Sequence, residues 1–122
     1  MLSACGNDID KNIKSEGENI MYEQITQQEA KQIMDSGEDF ILLDVREQDE
    51  FDNGHIPGAI LIPYKQIPQK APSMLPDKNK QILIYCRSGR RSKIAAESLS
   101  QFAYTNIKEF GGIIDWPYEV EK

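Results

Sequence analysis

The chain has 122 residues, with 14 Lys and Arg against 20 Asp and Glu and a formal net charge of -6 at pH 7. That length is one domain, large enough to bury a single core without metal or disulfide support. The acidic balance argues against nucleic acid and anionic membrane surfaces as partners. Two cysteines and one histidine do not fill a four-ligand zinc site without recruiting carboxylates, and no stretch is apolar and long enough to span a membrane.

Residues 1–20 read as a flexible N-terminal tail and residues 21–122 as the folded domain. In the tail, Leu2-Ser3-Ala4-Cys5-Gly6 resembles a bacterial lipobox, and the polar run from Asn7 to Asn19 suits a tether. Cys5 is thus a candidate lipidation site, and the protein an expected extracytoplasmic, membrane-anchored lipoprotein. If Met1 is the true start, the apolar segment that must precede a lipobox is missing and the domain is cytoplasmic. A Cys5–Cys86 disulfide is discounted, because it would tie a polar tail to the stretch that carries the chemistry.

Tyr22 to Ile25 is expected as a short first strand. Thr26-Gln27-Gln28-Glu29 is a capping box, predicting a helix that turns Ala30, Ile33 and Met34 inward and ends at Ser36-Gly37. Phe40 to Leu43 is a continuous apolar run, as in a strand covered on both faces. Glu47 to Phe51 predicts a short helix stopped at Asn53-Gly54, and Ala59 to Ile62 a strand closed by Pro63. Four prolines between 63 and 80 (Pro63, Pro68, Pro72, Pro76) predict loop and short helical turns. Asn106 to Phe110 is the expected last strand. Strands alternating with helices imply an α/β fold: a small parallel sheet with helices on both faces. In such sheets ligands bind beyond the carboxyl ends of the strands.

The segment from Gln81 to Lys93 carries the most information. Gln81 to Tyr85 reads as a buried strand, and Ile94, Ala95, Ala96, Leu99 and Phe102 lie at helical spacing from Ser92 onward. Cys86 therefore sits at a strand-to-helix turn, near unpaired backbone N–H groups and the positive end of a helix dipole. Four of the eight residues from Cys86 to Lys93 are basic. Both influences favour thiolate over thiol. A thiolate facing an anion-binding loop suits a nucleophile acting on a small anionic substrate; the competing reading is a buried structural cysteine beside a solvated basic turn.

Leu42-Leu43-Asp44-Val45-Arg46-Glu47, then Glu50-Phe51, then Gly54-His55-Ile56-Pro57-Gly58-Ala59-Ile60, with the Cys86 loop and the later Gly111, Gly112 and Trp116, closely resemble the rhodanese (single-domain sulfurtransferase) family. The resemblance spans Tyr22 to Glu119. It implies a rhodanese-like fold, no metal or organic cofactor, and catalysis by Cys86. The Cys86 thiolate would take the outer sulfur of thiosulfate or a related donor, release sulfite, and pass the sulfur from a persulfide to a thiol or cyanide. Arg87, Ser88, Gly89, Arg90 and Arg91 are the candidate substrate-binding residues. The guanidinium forks suit oxyanions, although Arg91 is placed to pair with a carboxylate instead. The resemblance makes Asp44 and Arg46 supporting residues that brace the loops, with Arg46 equally suited to attract an anion at the mouth of the site. His55 is expected to fix a turn, and Trp116 with Tyr118 either to wall the pocket or to pack on the sheet edge. A monomer is expected.

Two other functions compete. Cysteine phosphatases of related fold carry His before the cysteine and Arg six positions after it; this chain has Tyr85 and Ser92 there. A non-catalytic binding module would use the loop without turnover.

Overall fold

The computed structural model describes residues 12–14 and 21–122. Cys5 and the lipobox-like stretch lie outside the described residues. Six strands form one sheet: β1 (Asn12–Lys14), β2 (Met21–Gln24), β3 (Ile41–Asp44), β4 (Ile60–Leu61), β5 (Ile82–Cys86) and β6 (Ile107–Gly112). Their order is β1-β2-β6-β5-β3-β4. β2 to β6 are parallel, as the alternation of elements implied. Asn12–Lys14, in the stretch read from sequence as tail, adds an antiparallel edge against β2.

Among the described residues four α-helices cover the sheet: α1 (Gln27–Asp35), α2 (Gln48–Asp52), α3 (Ile67–Met74) and α4 (Arg90–Gln101). α1 starts where its capping box places it: Thr26 Oγ1 accepts the Glu29 N–H at 3.0 Å, and a Glu29 carboxylate oxygen accepts the Thr26 N–H at 2.9 Å. The core lies in two layers. On one face Leu43, Ile62, Ile82, Ile84 and Cys86 pack against Ile67, Ala71, Ala95, Ala96 and Leu99 of α3 and α4. On the other, Leu42, Leu83, Tyr85 and Phe110 pack against Ala30, Ile56 and Trp116. All five residues of β5 are buried, so the central strand has no solvent face and reads as an unbroken apolar run.

α3 departs from expectation. Residues 67–74 form eight residues of α-helix running through Pro72. Pro68 lies in the first turn, where its missing N–H costs nothing. Pro72 does remove a bond, but the helix is held from outside. Ala71 and Leu75 are fully buried, and the Tyr104 hydroxyl donates to Leu75 O at 2.6 Å and lies 3.1 Å from Ala71 O. Tertiary anchoring outweighs the proline here.

Candidate active site

Cys86 ends β5 at the carboxyl edge of the sheet, 1 % exposed, with residues 87–89 wrapped over it before α4 begins. Its thiol is free. The Gly89 N–H donates to Cys86 Sγ at 3.0 Å. Gly89 makes that contact at φ 116°, left-handed backbone that glycine reaches without a Cβ clash. An amide aimed at sulfur stabilises negative charge there.

The loop is seated on the end of β6. The β5–β6 register shifts between Ile84 and Cys86, where Ile84 pairs with Glu109 and Cys86 with Gly112. The extra residue on β6 is a bulge, which brings Gly112 beneath the loop. A Cβ on Gly112 would overlap the Arg87 carbonyl group and stand 2.5 Å from Ser88 N. Beyond it the Ile114 N–H donates to Arg87 O at 3.1 Å. The Gly111-Gly112 pair is thus a close approach of two backbones at the site, held from the far side by Gln27 Nε2, which donates to Phe110 O at 2.7 Å.

The arginines divide. Arg91 makes a two-pronged ion pair with Glu50 of α2, at 2.8 and 2.9 Å. That hydrogen bond holds the Glu50 carboxyl down at about 2, against an ordinary 4.5. Arg91 is therefore committed to bracing α2 against the start of α4. Arg87 and Arg90 are exposed and make no ion pair with the described residues. Arg46 and Asp44 are both buried; Arg46 Nη2 reaches Asp44 Oδ2 at 2.7 Å and Gly54 O at 2.7 Å, while Asp44 Oδ1 accepts the Arg46 N–H at 2.9 Å. This pair ties the end of β3 to the turn after α2. Arg46 also lines, with Arg87, Ile113 and Ile114, a depression of about 410 Å³ beside the loop.

His55 lies away from the sulfur. Its ring stacks on Phe51 at 3.8 Å, Nδ1 is 3.0 Å from Phe51 O, and its backbone pairs with Glu121. Trp116 packs on Phe110 within the core, and its Nε1–H donates to Glu119 O at 3.1 Å. Tyr85, where a phosphatase has His, is core: its hydroxyl accepts the Ile56 N–H at 3.0 Å, and burial, then the Asp44 charge, pushes its ionisation far up.

Two residues at the site were not singled out as site residues from sequence. Ser92, where a phosphatase loop has arginine, is fully buried, with Oγ 3.4 Å from Cys86 Sγ. Ser92 Oγ donates to Glu109 Oε2 at 2.6 Å, and Glu109 is 1 % exposed on β6. The available signal was a carboxylate two positions after Ile107, at the inward register of a strand whose Lys108 falls on the other face. Among the described residues no cluster of His, Cys, Asp and Glu is arranged to hold a metal ion.

The sequence matches the family model for the rhodanese-like domain over residues 26–117. The chain belongs to this family. It is 38% identical over 73 residues to the thiosulfate sulfurtransferase PspE of Escherichia coli, covering 60% of this chain and 70% of that one. It is 37% identical over 97 residues to a sulfurtransferase of Allochromatium vinosum, covering 79% and 89%. Among solved structures, a rhodanese with anions from E. coli superposes with a TM-score of 0.64 at 35% identity, covering 68% of this chain and 98% of that one. This rhodanese domain is of the sulfurtransferase type, and the order of elements and the Cys86 loop read from sequence agree with that membership.

Proposed function

We propose that this rhodanese moves sulfane sulfur from thiosulfate, or a small anionic donor like it, to a thiol or cyanide acceptor through a persulfide on Cys86. The observation that carries this reading is the Gly89 N–H at 3.0 Å from Cys86 Sγ, at a strand end beside Arg87 and Arg90, which make no ion pair among the described residues. The thiolate attacks the outer sulfur of thiosulfate. An S–S bond forms to Cys86, the bond to the sulfite sulfur breaks, and sulfite leaves with the electron pair. An acceptor thiolate or cyanide then attacks the outer persulfide sulfur, and Cys86 leaves as thiolate. The Gly89 amide faces the same sulfur before and after each step, so its dipole needs no reorganisation. Arg87 and Arg90 are assigned to the donor's oxyanion, and the similar rhodanese with anions supports an anionic ligand.

The phosphatase reading lacks the arginine its transition state requires, because Ser92 occupies that position and is turned inward. Turnover with thiosulfate and cyanide, followed by sulfite and thiocyanate, tests the proposal beside phosphate release from a chromogenic aryl phosphate. Sulfur transfer that vanishes in Cys86→Ser is the expected result. Phosphate release without sulfur transfer would replace the proposal, and the absence of both would make the domain a binding module.

A further inference from the structure

We infer that Cys86, Ser92 and Glu109 form a buried proton relay, in which the Ser92 hydroxyl carries the Cys86 proton to the Glu109 carboxylate and back. The inference rests on Cys86 being the sulfur carrier, and it concerns a question the loop amide leaves open: where the thiol proton goes at a sulfur that is 1 % exposed.

The Ser92 hydroxyl has one proton and four neighbours. Its oxygen lies 2.6 Å from Glu109 Oε2, 3.0 Å from Gly89 O, 3.3 Å from Gly111 O and 3.4 Å from Cys86 Sγ. The shortest contact goes to the carboxylate, the strongest acceptor present. With that proton on the Glu109 side, a lone pair of Ser92 Oγ faces the sulfur and accepts the S–H. The chain S–H to O–H to carboxylate is continuous.

Proton transfer along it balances. The S–H bond breaks and its proton joins Ser92 Oγ, while the Ser92 proton passes to Glu109 Oε2. The sulfur keeps its electron pair and is then flanked by two donors, Gly89 N–H and Ser92 O–H. After sulfite has left and an acceptor has taken the outer sulfur, the same proton returns from Glu109 through Ser92 to the departing thiolate. No net proton is exchanged with solvent in a cycle whose acceptor enters as thiolate. Glu109 touches neither donor nor acceptor; it is a positioning residue that acts through Ser92.

The Glu109 carboxylate is held in place by neighbours on three elements. Glu109 Oε2 also accepts the Gly111 N–H at 2.9 Å, and Oε1 accepts from Gln24 Nε2 of β2 at 3.2 Å. Lys93 Nζ of α4 stands 3.8 Å from Oε1. Tyr22 of β2 faces the same side and is neutral across the working range, since burial, then the Glu109 charge, pushes it up to about 12. On the sulfur side the nearby cation is Arg91, already paired with Glu50.

The experiment follows alkylation of Cys86 by iodoacetamide from mildly acidic to mildly alkaline pH, in the full chain carrying Cys5→Ser. Alkylation needs no sulfur transfer, so its outcome is separate from that of the proposed activity. Glu109→Gln keeps an acceptor for Ser92 but cannot take the proton. It is expected to slow alkylation about ten-fold or more at and below neutrality, with the difference closing at alkaline pH and one ionisation lost from the profile. Ser92→Ala is expected to show the same loss, Ser92→Thr to restore the rate, and the Ser92→Ala/Glu109→Gln double variant to be no slower than either single one. If Glu109 acts only as a like charge near sulfur, Glu109→Gln makes Cys86 more reactive. An equal or faster rate therefore overturns the relay. Should Glu109→Gln fail to fold, the serine variants decide: loss with Ala and recovery with Thr supports the relay, and equal rates contradict it.

Discussion

Arg91 and Arg90 are neighbours in sequence and opposites in role. Arg91 grips Glu50 with both guanidinium prongs, whereas Arg90 and Arg87 stand in solvent without an ion pair among the described residues. Arg87→Gln or Arg90→Gln is expected to lower kcat/KM for thiosulfate about ten-fold per productive contact, roughly 1.4 kcal/mol of transition-state stabilisation. A neutral sulfur donor should be affected less. Steady-state kinetics with both donors check this, and parental kinetics in both variants would reduce the cluster to a solvated turn. For Glu50 the sign is set by its depressed ionisation, at about 2 instead of 4.5. The pair's stabilisation is fully present above the ordinary carboxylate range and is lost as pH falls through about 2. Glu50→Gln should therefore cost on the order of 1 kcal/mol at neutral pH, since both side chains still meet some solvent. It should cost little once the pH is below about 2. Urea unfolding at the two pH values gives the comparison. The sequence offered Arg91 a choice of anion or carboxylate, and the partner that decided it lies 41 positions away.

Among the elements, β6 does more than close the sheet. Its bulge puts Gly112 under the Arg87 carbonyl, so the end of one strand forms the floor of a loop that belongs to another. Gly112→Ala is expected to displace the Cys86 loop. The clash is with backbone, which cannot rotate away as a side chain can. Sulfur transfer should fall by two orders of magnitude or more, with a lowered thermal midpoint; a fully active, parentally stable variant would show that the loop tolerates the shift. α3 illustrates the limit of local signals. Pro72 argues against helix, and the Tyr104 hydroxyl, 29 residues from Leu75, anchors the helix end from outside. Tyr104→Phe should cost about 1–3 kcal/mol by leaving the Leu75 carbonyl without that donor, while Ala71 O keeps the Leu75 N–H. Thermal unfolding measures it. Where the governing interaction is local, as in the Thr26 capping box or the unbroken apolar run of β5, the element could be read directly. Where it comes from a distant strand or helix, as at α3, the edge strand β1 and the Ser92–Glu109 pair, no window of sequence contains it.

At the scale of the molecule, five parallel strands carry their loops to one edge, and Cys86 stands at the carboxyl end of β5, between β3 and β6. The net charge of -6 opposes an incoming anion. Screening leaves that repulsion small beyond about 10 Å at 0.1 M salt, and under the proposed mechanism an anionic donor would meet Arg87, Arg90 and the Gly89 amide at short range. The motifs around Asp44, Gly54 and Cys86 made the family legible because they lie at the turns that build this edge. Asp44 and Arg46 form a buried pair at one of those turns, whereas Glu109, the carboxylate nearest the sulfur's hydroxyl neighbour, belongs to no motif and stayed out of reach. The central claim is that Cys86 carries the sulfur. Intact mass after incubation with thiosulfate and removal of excess donor tests it most directly. A gain of one sulfur atom is predicted, reversed by a reducing thiol, absent in Cys86→Ser and unchanged in Cys5→Ser. A mass that does not change, or the same labile sulfur on Cys86→Ser, would contradict it.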